Sequence, residues 1–249
     1  SSIFENIPGN SKSKQHVIYW SNGDVKPDDV KLEVNYAYIG TSETINQEIK
    51  NKEILYNNVS EDYQKFTLVD DPVTDKSLIL KLKYAGEEYI KAGATVNFYD
   101  ESGNLLKTEN EYGYYQPGDT LSQIYDLPVD GNGKPIPYKA YTITIHAWRC
   151  DYVSVKDKVT LDVPTLSDFE GSDVQVDFTI DNKSITEISQ AEIVAYYMKD
   201  GQVIRVTSSI FENIPGNGKS KQHVIYWSNE DVKPDSVMLD VNYAYIYSK

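Results

Sequence analysis

The sequence predicts an all-β protein made of antiparallel β-sandwiches. Short runs in which apolar and polar residues alternate recur along the chain, as half-buried strands require. Residue pairs that favour tight turns, mostly containing glycine or proline, separate these runs about every ten residues. Valine, isoleucine, threonine and tyrosine favour strands and are plentiful, and tyrosine alone occurs 21 times. We therefore expect stacked sheets of short strands with few helices.

The first and last parts of the chain are near-copies of each other. Residues 1–39 and 208–246 have nearly the same amino-acid sequence at an offset of 207 positions, so that Ser1 corresponds to Ser208. The differences are Ser11/Gly218, Gly23/Glu230, Asp29/Ser236, Lys31/Met238 and Glu33/Asp240. Such identity indicates an internal duplication.

The closing strand of this repeat has a clear two-residue period. We predict that five of its residues face inward, namely Val237, Leu239, Val241, Tyr243 and Tyr245. Met238 and Asp240 should face outward, and both differ between the two copies. A core position tolerates a change of volume poorly, so differences confined to the outer face and to turns fit a packed β core.

From residue 64 onward the chain holds two diverged copies of one module, offset by 98 positions, and the second copy includes the repeat at 208–246. Val96 matches Val194, and the turn at Pro117 matches the turn at Pro215. We predict residues 1–41 to be the C-terminal half of such a module, 64–156 a full module, and 157–249 a second module whose second half repeats 1–39. Residues 42–63 are predicted to be a linker with a possible short helix that presents Ile45 and Ile49 on one side.

Three turn motifs in the second module resemble those of a known family. They are the strand end at Asn182-Lys183-Ser184, the hairpin Tyr197-Met198-Lys199-Asp200-Gly201, and the turn Pro215-Gly216. This set is similar to FxLYD-type immunoglobulin-like domains. The resemblance covers residues 157–246, and more weakly 65–150. It implies tandem immunoglobulin-like sandwiches in a secreted or surface-attached bacterial protein, and it brings no catalytic residues.

Charge and composition exclude several classes of partner. The formal net charge is −14, whereas nucleic acid and anionic lipid both need a basic surface. No run of apolar residues is long enough to span a membrane. Cys150 is the single cysteine, so an internal disulfide is impossible, and its role is open.

Catalytic motifs are absent from the sequence. The three histidines, His16, His146 and His223, show neither a zinc-type pair nor the order of a nucleophilic triad. The 38 carboxylates leave an acid–base glycoside hydrolase only as a remote alternative, because such an enzyme needs two carboxyl groups at a set separation in a cleft. We therefore predict that the chain is not an enzyme and uses no cofactor.

Tryptophans are the best candidates for a binding site. On the strand around residues 141–148, Tyr141, Ile143, Ile145 and Ala147 are predicted to face inward. Thr142, Thr144, His146 and Trp148 then share the outer face, where an exposed Trp148 can stack on a sugar or anchor a protein. Trp20 and Trp227 are further candidates, although a core position is the alternative for both. Asp130 and Asn132 form a weak Ca²⁺ candidate, against the alternative of an Asx turn.

These inferences predict an extracellular or cell-surface repeat module for adhesion, spacing or protein interaction. The alternative is a carbohydrate-binding module that uses surface Trp and Tyr. The partner would be a protein or glycan at a cell surface. Residues 1–39 and 208–246 can both pair with the same complementary strands around 157–207. We therefore expect residues 1–39 to find strand partners either in a second chain, which gives self-association, or in the segment 40–75 of their own chain.

Overall fold

The structure, a computed structural model, describes residues 49–171, 173–228 and 232–247. These residues contain fifteen β-strands, two single-turn 3-10 helices and no α-helix. The predicted all-β class is therefore confirmed at this level. Residues 1–41 and Trp20, for which a half-module and a site residue were predicted, lie outside the described residues.

The N-terminal part of the described chain forms two sheets. One sheet has the order β1, β7, β4, β5, and its strands are β1 (Glu53–Tyr56), β4 (Ile90–Tyr99), β5 (Leu105–Tyr115) and β7 (Ala140–Arg149). The second has the order β2, β3, β6, with β2 (Phe66–Asp70), β3 (Ser77–Tyr84) and β6 (Thr120–Asp126). Leu80 and Leu82 of β3 share one core with Val96 and Ile143 of the first sheet. We call these sheets the first sheet pair.

The C-terminal part forms the second sheet pair. One sheet has the order β13, β12, β15, β8, with β8 (Tyr152–Ser154), β12 (Ile188–Lys199), β13 (Gln202–Ile214) and β15 (Ser236–Tyr247). The other has the order β10, β11, β14, with β9 also on β11; its strands are β9 (Val159–Leu161), β10 (Thr165–Asp168), β11 (Val174–Asn182) and β14 (Gly218–Tyr226). Val176 and Ile180 of β11 pack with Ile193 of β12 in the second core.

The segment predicted as a linker contains a strand. β1 lies parallel to β7, and Glu53 is opposite Thr142 and Tyr56 opposite Ile145. Residues 53–56 form this strand because β7 offers them a free edge and the partly buried Ile54 and Tyr56 pack against the first core. Residues 42–48, where the possible short helix was predicted to begin, lie outside the described residues. The short 3-10 helix lies further on, at Glu61–Tyr63.

β15 follows the predicted alternation only as far as Val241. Val237 and Val241 are buried in the second core, Leu239 is partly buried against it, and Met238 is exposed. The pairing with β12 then shifts, because Glu192 is opposite Tyr243 while Ile193 is opposite Val241.

This shift is a β-bulge with Asn242 as the extra residue, and a bulge re-aims the side chains that follow it. Beyond the bulge Ala244 belongs to the second core, whereas Tyr243 and Tyr245 belong to the first core. The prediction that these tyrosines continue the inward set of Val237 and Val241 is therefore wrong.

The bulge also builds the contact between the two sheet pairs, which we call the junction. The Asn242 side chain accepts a hydrogen bond from the Ser122 backbone N–H at 2.8 Å and donates to the Ser122 carbonyl at 2.9 Å. It thereby occupies the free edge of β6 as a neighbouring strand would. Asn242 also donates to Glu192 Oε2 at 2.6 Å. A small apolar cluster of Ile79, Val194 and Val206 extends the same contact.

Candidate functional site

The outer face of the sheet β7-β4-β5 carries the predicted site residues. Strand pairing arranges its side chains in four rows, each with one residue from β7, β4 and β5 in turn. The rows are Trp148–Lys91–Tyr114, His146–Gly93–Tyr112, Thr144–Thr95–Asn110 and Thr142–Asn97–Thr108. The structure therefore brings Trp148, His146 and Thr144 together on one surface, which we call the outer face.

Two rings and a lysine dominate one end of the outer face. Trp148 is 44% exposed and Tyr112 is 52% exposed, and their ring centroids lie 6.3 Å apart in an edge-on arrangement. The Lys91 ammonium lies 5.3 Å from the Tyr112 ring centroid, 5.4 Å from that of Tyr114 and 5.7 Å from that of Trp148. This places a cation over three aromatic rings, an attraction that fixes the rings in place.

Gly93 makes this arrangement possible. A Cβ atom at this position would lie 2.6 Å from Cε1 of Tyr112, far inside contact distance. Without a side chain in the centre of the row, the Tyr112 ring lies flat across the sheet toward Trp148.

The other end of the outer face is polar. The Thr95 hydroxyl donates to Asn110 Oδ1 at 2.6 Å, and the Thr108 hydroxyl donates to Asn97 Oδ1 at 2.7 Å. Thr142 was predicted to be on the exposed side, but it is buried, and its hydroxyl lies 3.4 Å from that of Tyr99. The outer face thus joins an aromatic end to a row of hydroxyl and amide groups.

Aromatic contacts continue from the outer face into the junction. The ring of Tyr114 lies 4.4 Å from that of Tyr245 and 5.1 Å from that of Tyr152. Tyr152 stacks on Tyr245 at 4.6 Å and touches Tyr247, which is 58% exposed. Ring contacts from both sheet pairs therefore run from Tyr114 to Tyr247, and the Lys91 ammonium connects Tyr114 with Trp148.

Two carboxyl groups lie at the junction. Burial and the nearby charge of Glu192 raise the pKa of Glu111 to about 7. Burial also raises the pKa of Glu192, and the hydrogen bonds of this carboxyl with Asn242 and Ser208 partly offset the increase. Both carboxyls therefore hold a proton more tightly than an exposed glutamate does.

Trp227 lines a different feature, an open cleft of about 390 Å³ between β13 and β14. The ring is 53% exposed and meets Phe169 edge-on at 6.0 Å. Arg205 donates from Nη1 to the Trp227 carbonyl at 2.6 Å, and its guanidinium lies 5.4 Å from the Tyr226 ring centroid. His223 also lines the cleft.

The candidate Ca²⁺ ligand Asp130 serves a turn. Its Oδ1 accepts hydrogen bonds from the backbone N–H groups of Asn132 and Lys134, both at 2.9 Å. This is the geometry of an Asx turn. In the described ranges no group of three or more His, Cys, Asp or Glu side chains is placed to hold a metal ion. Cys150 is half-buried, and its burial raises the pKa of the thiol.

Sequence reasoning missed Lys91, Gly93 and Tyr112. Each stands on a strand other than that of Trp148, so its place beside the ring depends on the register of β4 with β5 and β7. The sequence signal available was the Tyr112–Tyr114 pair at a spacing of two, which places both rings on one face.

Comparison with known proteins gives little. No protein-family model matches the chain, and no curated protein does. Among solved structures, the crystal structure of red sea bream transglutaminase matches over 72% of this chain, with a TM-score of 0.23 and 10% sequence identity. The match spans 29% of the transglutaminase chain.

That match is to an enzyme, so it contradicts the prediction that the chain is not an enzyme, and we do not keep that prediction. A likeness at this TM-score gives neither a fold assignment nor an activity, so no catalytic role follows from it. The described residues contain no helix long and apolar enough to cross a membrane.

Proposed function

We propose that this chain is an extracellular interaction module from a bacterial secreted or surface protein, built of tandem immunoglobulin-like sandwiches. The outer face with Trp148, Tyr112 and Lys91 is its contact surface. The observation that carries this proposal is the exposed Trp148–Tyr112 pair held by Lys91. Large rings fixed in advance contribute most to binding, since little conformational entropy is lost when a partner covers them.

The correspondence of the two sheet pairs supports the tandem arrangement. The order β7-β4-β5 in the first pair matches β15-β12-β13 in the second, with β4 beginning at Ile90 and β12 at Ile188. This is the offset of 98 positions found in the sequence. In such an array the described modules would serve adhesion, spacing or both.

A carbohydrate is the second candidate ligand of the outer face. The polar side chains of Thr95, Asn110, Asn97 and Thr108 lie on the same outer face as the rings. Sugar sites combine an aromatic platform with hydroxyl and amide partners for the sugar hydroxyls. Lys91 covers part of the ring faces, which leaves the edges and outer surfaces of Trp148 and Tyr112 for stacking.

One experiment tests both candidates. The intact chain is applied to a glycan array and to an array of bacterial and host extracellular proteins, beside the variants Trp148→Ala and Trp227→Ala. We expect binding that Trp148→Ala abolishes and that Trp227→Ala retains. The array that responds identifies the class of ligand, and binding that survives Trp148→Ala contradicts the proposed surface.

We also propose self-association through residues 1–39, which lie outside the described residues. The support comes from the copy at 208–246, whose strand β14 pairs with β11 along nine residues. Only Gly218 of those nine differs in the first copy. Light scattering on the chain with and without residues 1–41 tests this. We expect dimers or chains only with the segment, and equal monomers would refute it.

A further inference from the structure

The cleft between β13 and β14 is bounded by two strand edges. β13 is the last strand of its sheet, and β14 is the last strand of the facing sheet. Three consecutive residues of β13 line the cleft, from Thr207 to Ser209. Five consecutive residues line it on the other side, from His223 to Trp227.

Consecutive lining residues show that the cleft runs along the strand edges. Side chains alternate between the two faces of a strand, so neighbours in sequence border the same space only from its edge. An edge presents the backbone N–H and C=O groups that no sheet neighbour uses. Five residues of strand extend over about 16 Å, so the cleft is elongated along the chain direction.

The corresponding edges in the first sheet pair are tied together. There Lys107 of β5 donates from Nζ to the carbonyl of Asp126 at 3.2 Å and to that of Leu127 at 3.4 Å, so it reaches across to β6. In the second sheet pair, a hydrogen bond from Arg205 of β13 to the Trp227 carbonyl connects the two edges at one end of the cleft. In the described residues of the second sheet pair, an open space lies between the corresponding edges.

The cleft carries a cation in a chain whose formal net charge is −14. Among the described residues that line it, Arg205 is the charged one, and His223 adds an imidazole. Arginine has five N–H donors, and Arg205 gives one of them to the Trp227 carbonyl. Phe211 and Trp227 add apolar surface at the cleft wall.

We propose that this cleft binds an extended acidic peptide segment of a partner protein by strand addition. The main chain of the peptide pairs with the edge of β13 that no described strand occupies, as in other cases of β-augmentation. An Asp or Glu side chain of the peptide meets Arg205 and His223, and an apolar side chain contacts Phe211 or Trp227. The docked segment has about five residues, the length of the stretch from His223 to Trp227 that lines the cleft.

The test uses the full chain and a displayed library of random seven-residue peptides. Selection against the wild type should enrich peptides with an Asp or Glu among β-branched residues. The best synthetic peptide is then titrated by fluorescence polarisation into wild type, Arg205→Gln, His223→Gln and the control Lys221→Gln. Lys221 lies on β14 but does not line the cleft.

We expect Arg205→Gln to weaken binding about tenfold or more, since a charge-assisted hydrogen bond is lost. His223→Gln should weaken it less, and the control should leave it within about twofold. N-methylation of alternate peptide amides should also abolish binding, because strand addition depends on main-chain hydrogen bonds. His223→Gln carries the test if Arg205→Gln fails to fold.

Three results overturn the proposal. One is a selection in which acidic peptides are enriched no more on the wild type than on the Arg205→Gln protein. The second is a peptide that keeps its affinity after N-methylation. The third is the finding that a carboxylated glycan binds while no peptide does, and that Arg205→Gln abolishes this binding. Such a result would assign the cleft to a sugar. None of these results bears on Trp148, so the proposed outer-face function stands or fails separately.

Discussion

Asn242→Ala should cost the protein about 3 kcal/mol of unfolding free energy. The side chain makes two hydrogen bonds with the Ser122 backbone and one with the Glu192 carboxyl. A neutral hydrogen bond contributes about 1 kcal/mol net and one to a charged group more, with a further cost where a buried partner is left unsatisfied. Water entering the partly buried side reduces the total, so about 3 kcal/mol is the expected loss.

The assay is equilibrium unfolding in urea, followed by tryptophan fluorescence in a Trp20→Phe background. Trp148 then reports on the first sheet pair and Trp227 on the second. Because Asn242 connects the pairs, both transitions should move to lower urea concentration. The matched control is Asn110→Ala, whose exposed side chain accepts one hydrogen bond from Thr95 and should cost under about 1 kcal/mol. A loss for Asn242→Ala within about 0.5 kcal/mol of this control would refute the reasoning.

Three further outcomes are expected. The pKa of the Glu111 carboxyl is raised from 4.5 to about 7, so the folded protein keeps this proton at pH values where the unfolded chain has released it. The free energy of unfolding should therefore fall as pH rises between about 4.5 and 7. In thermal melts of Glu111→Gln, this pH dependence should be much smaller. Val241→Ala should cost about 2 kcal/mol in a denaturant titration, and Met238→Lys less than about 0.5 kcal/mol; equal costs would contradict the facing of β15. Gly93→Ala should displace the Tyr112 ring and increase acrylamide quenching of Trp148, and unchanged quenching would count against the role given to Gly93.

The alternation of apolar and polar residues predicted which side chains of a strand face the core when the whole strand belongs to one sheet pair. β7 is such a strand, since Ile143 and Ile145 are fully buried and Trp148 is exposed. The same argument failed on β15, because its alternation of Val, Leu and Tyr is unbroken in the sequence. The bulge at Asn242 depends on a hydrogen bond to Ser122, 120 residues away. No local pattern carries that information.

The candidate site was predicted in part for the same reason. Trp148, His146 and Thr144 follow one another on β7, so a period of two suffices to place them together. Lys91 and Tyr112 reach the same surface only through pairing between strands, whose register the sequence leaves open. Residues 53–56 show the same dependence on partners: they form a strand because β7 offers an edge, whereas the sequence alone predicts a linker there.

The division of β15 between two cores sets an order of folding during synthesis. Tyr243 and Tyr245 are buried in the first core, although the last strand of that sheet pair ends at Arg149. A ribosome adds about 5–20 residues per second, so Tyr243 follows Arg149 by about 5–20 s. Throughout that interval the Tyr114 ring has none of its partners from β15 to cover it. Until β15 is synthesised, the nascent first sheet pair therefore exposes an aromatic surface around Tyr114 to water or to a chaperone.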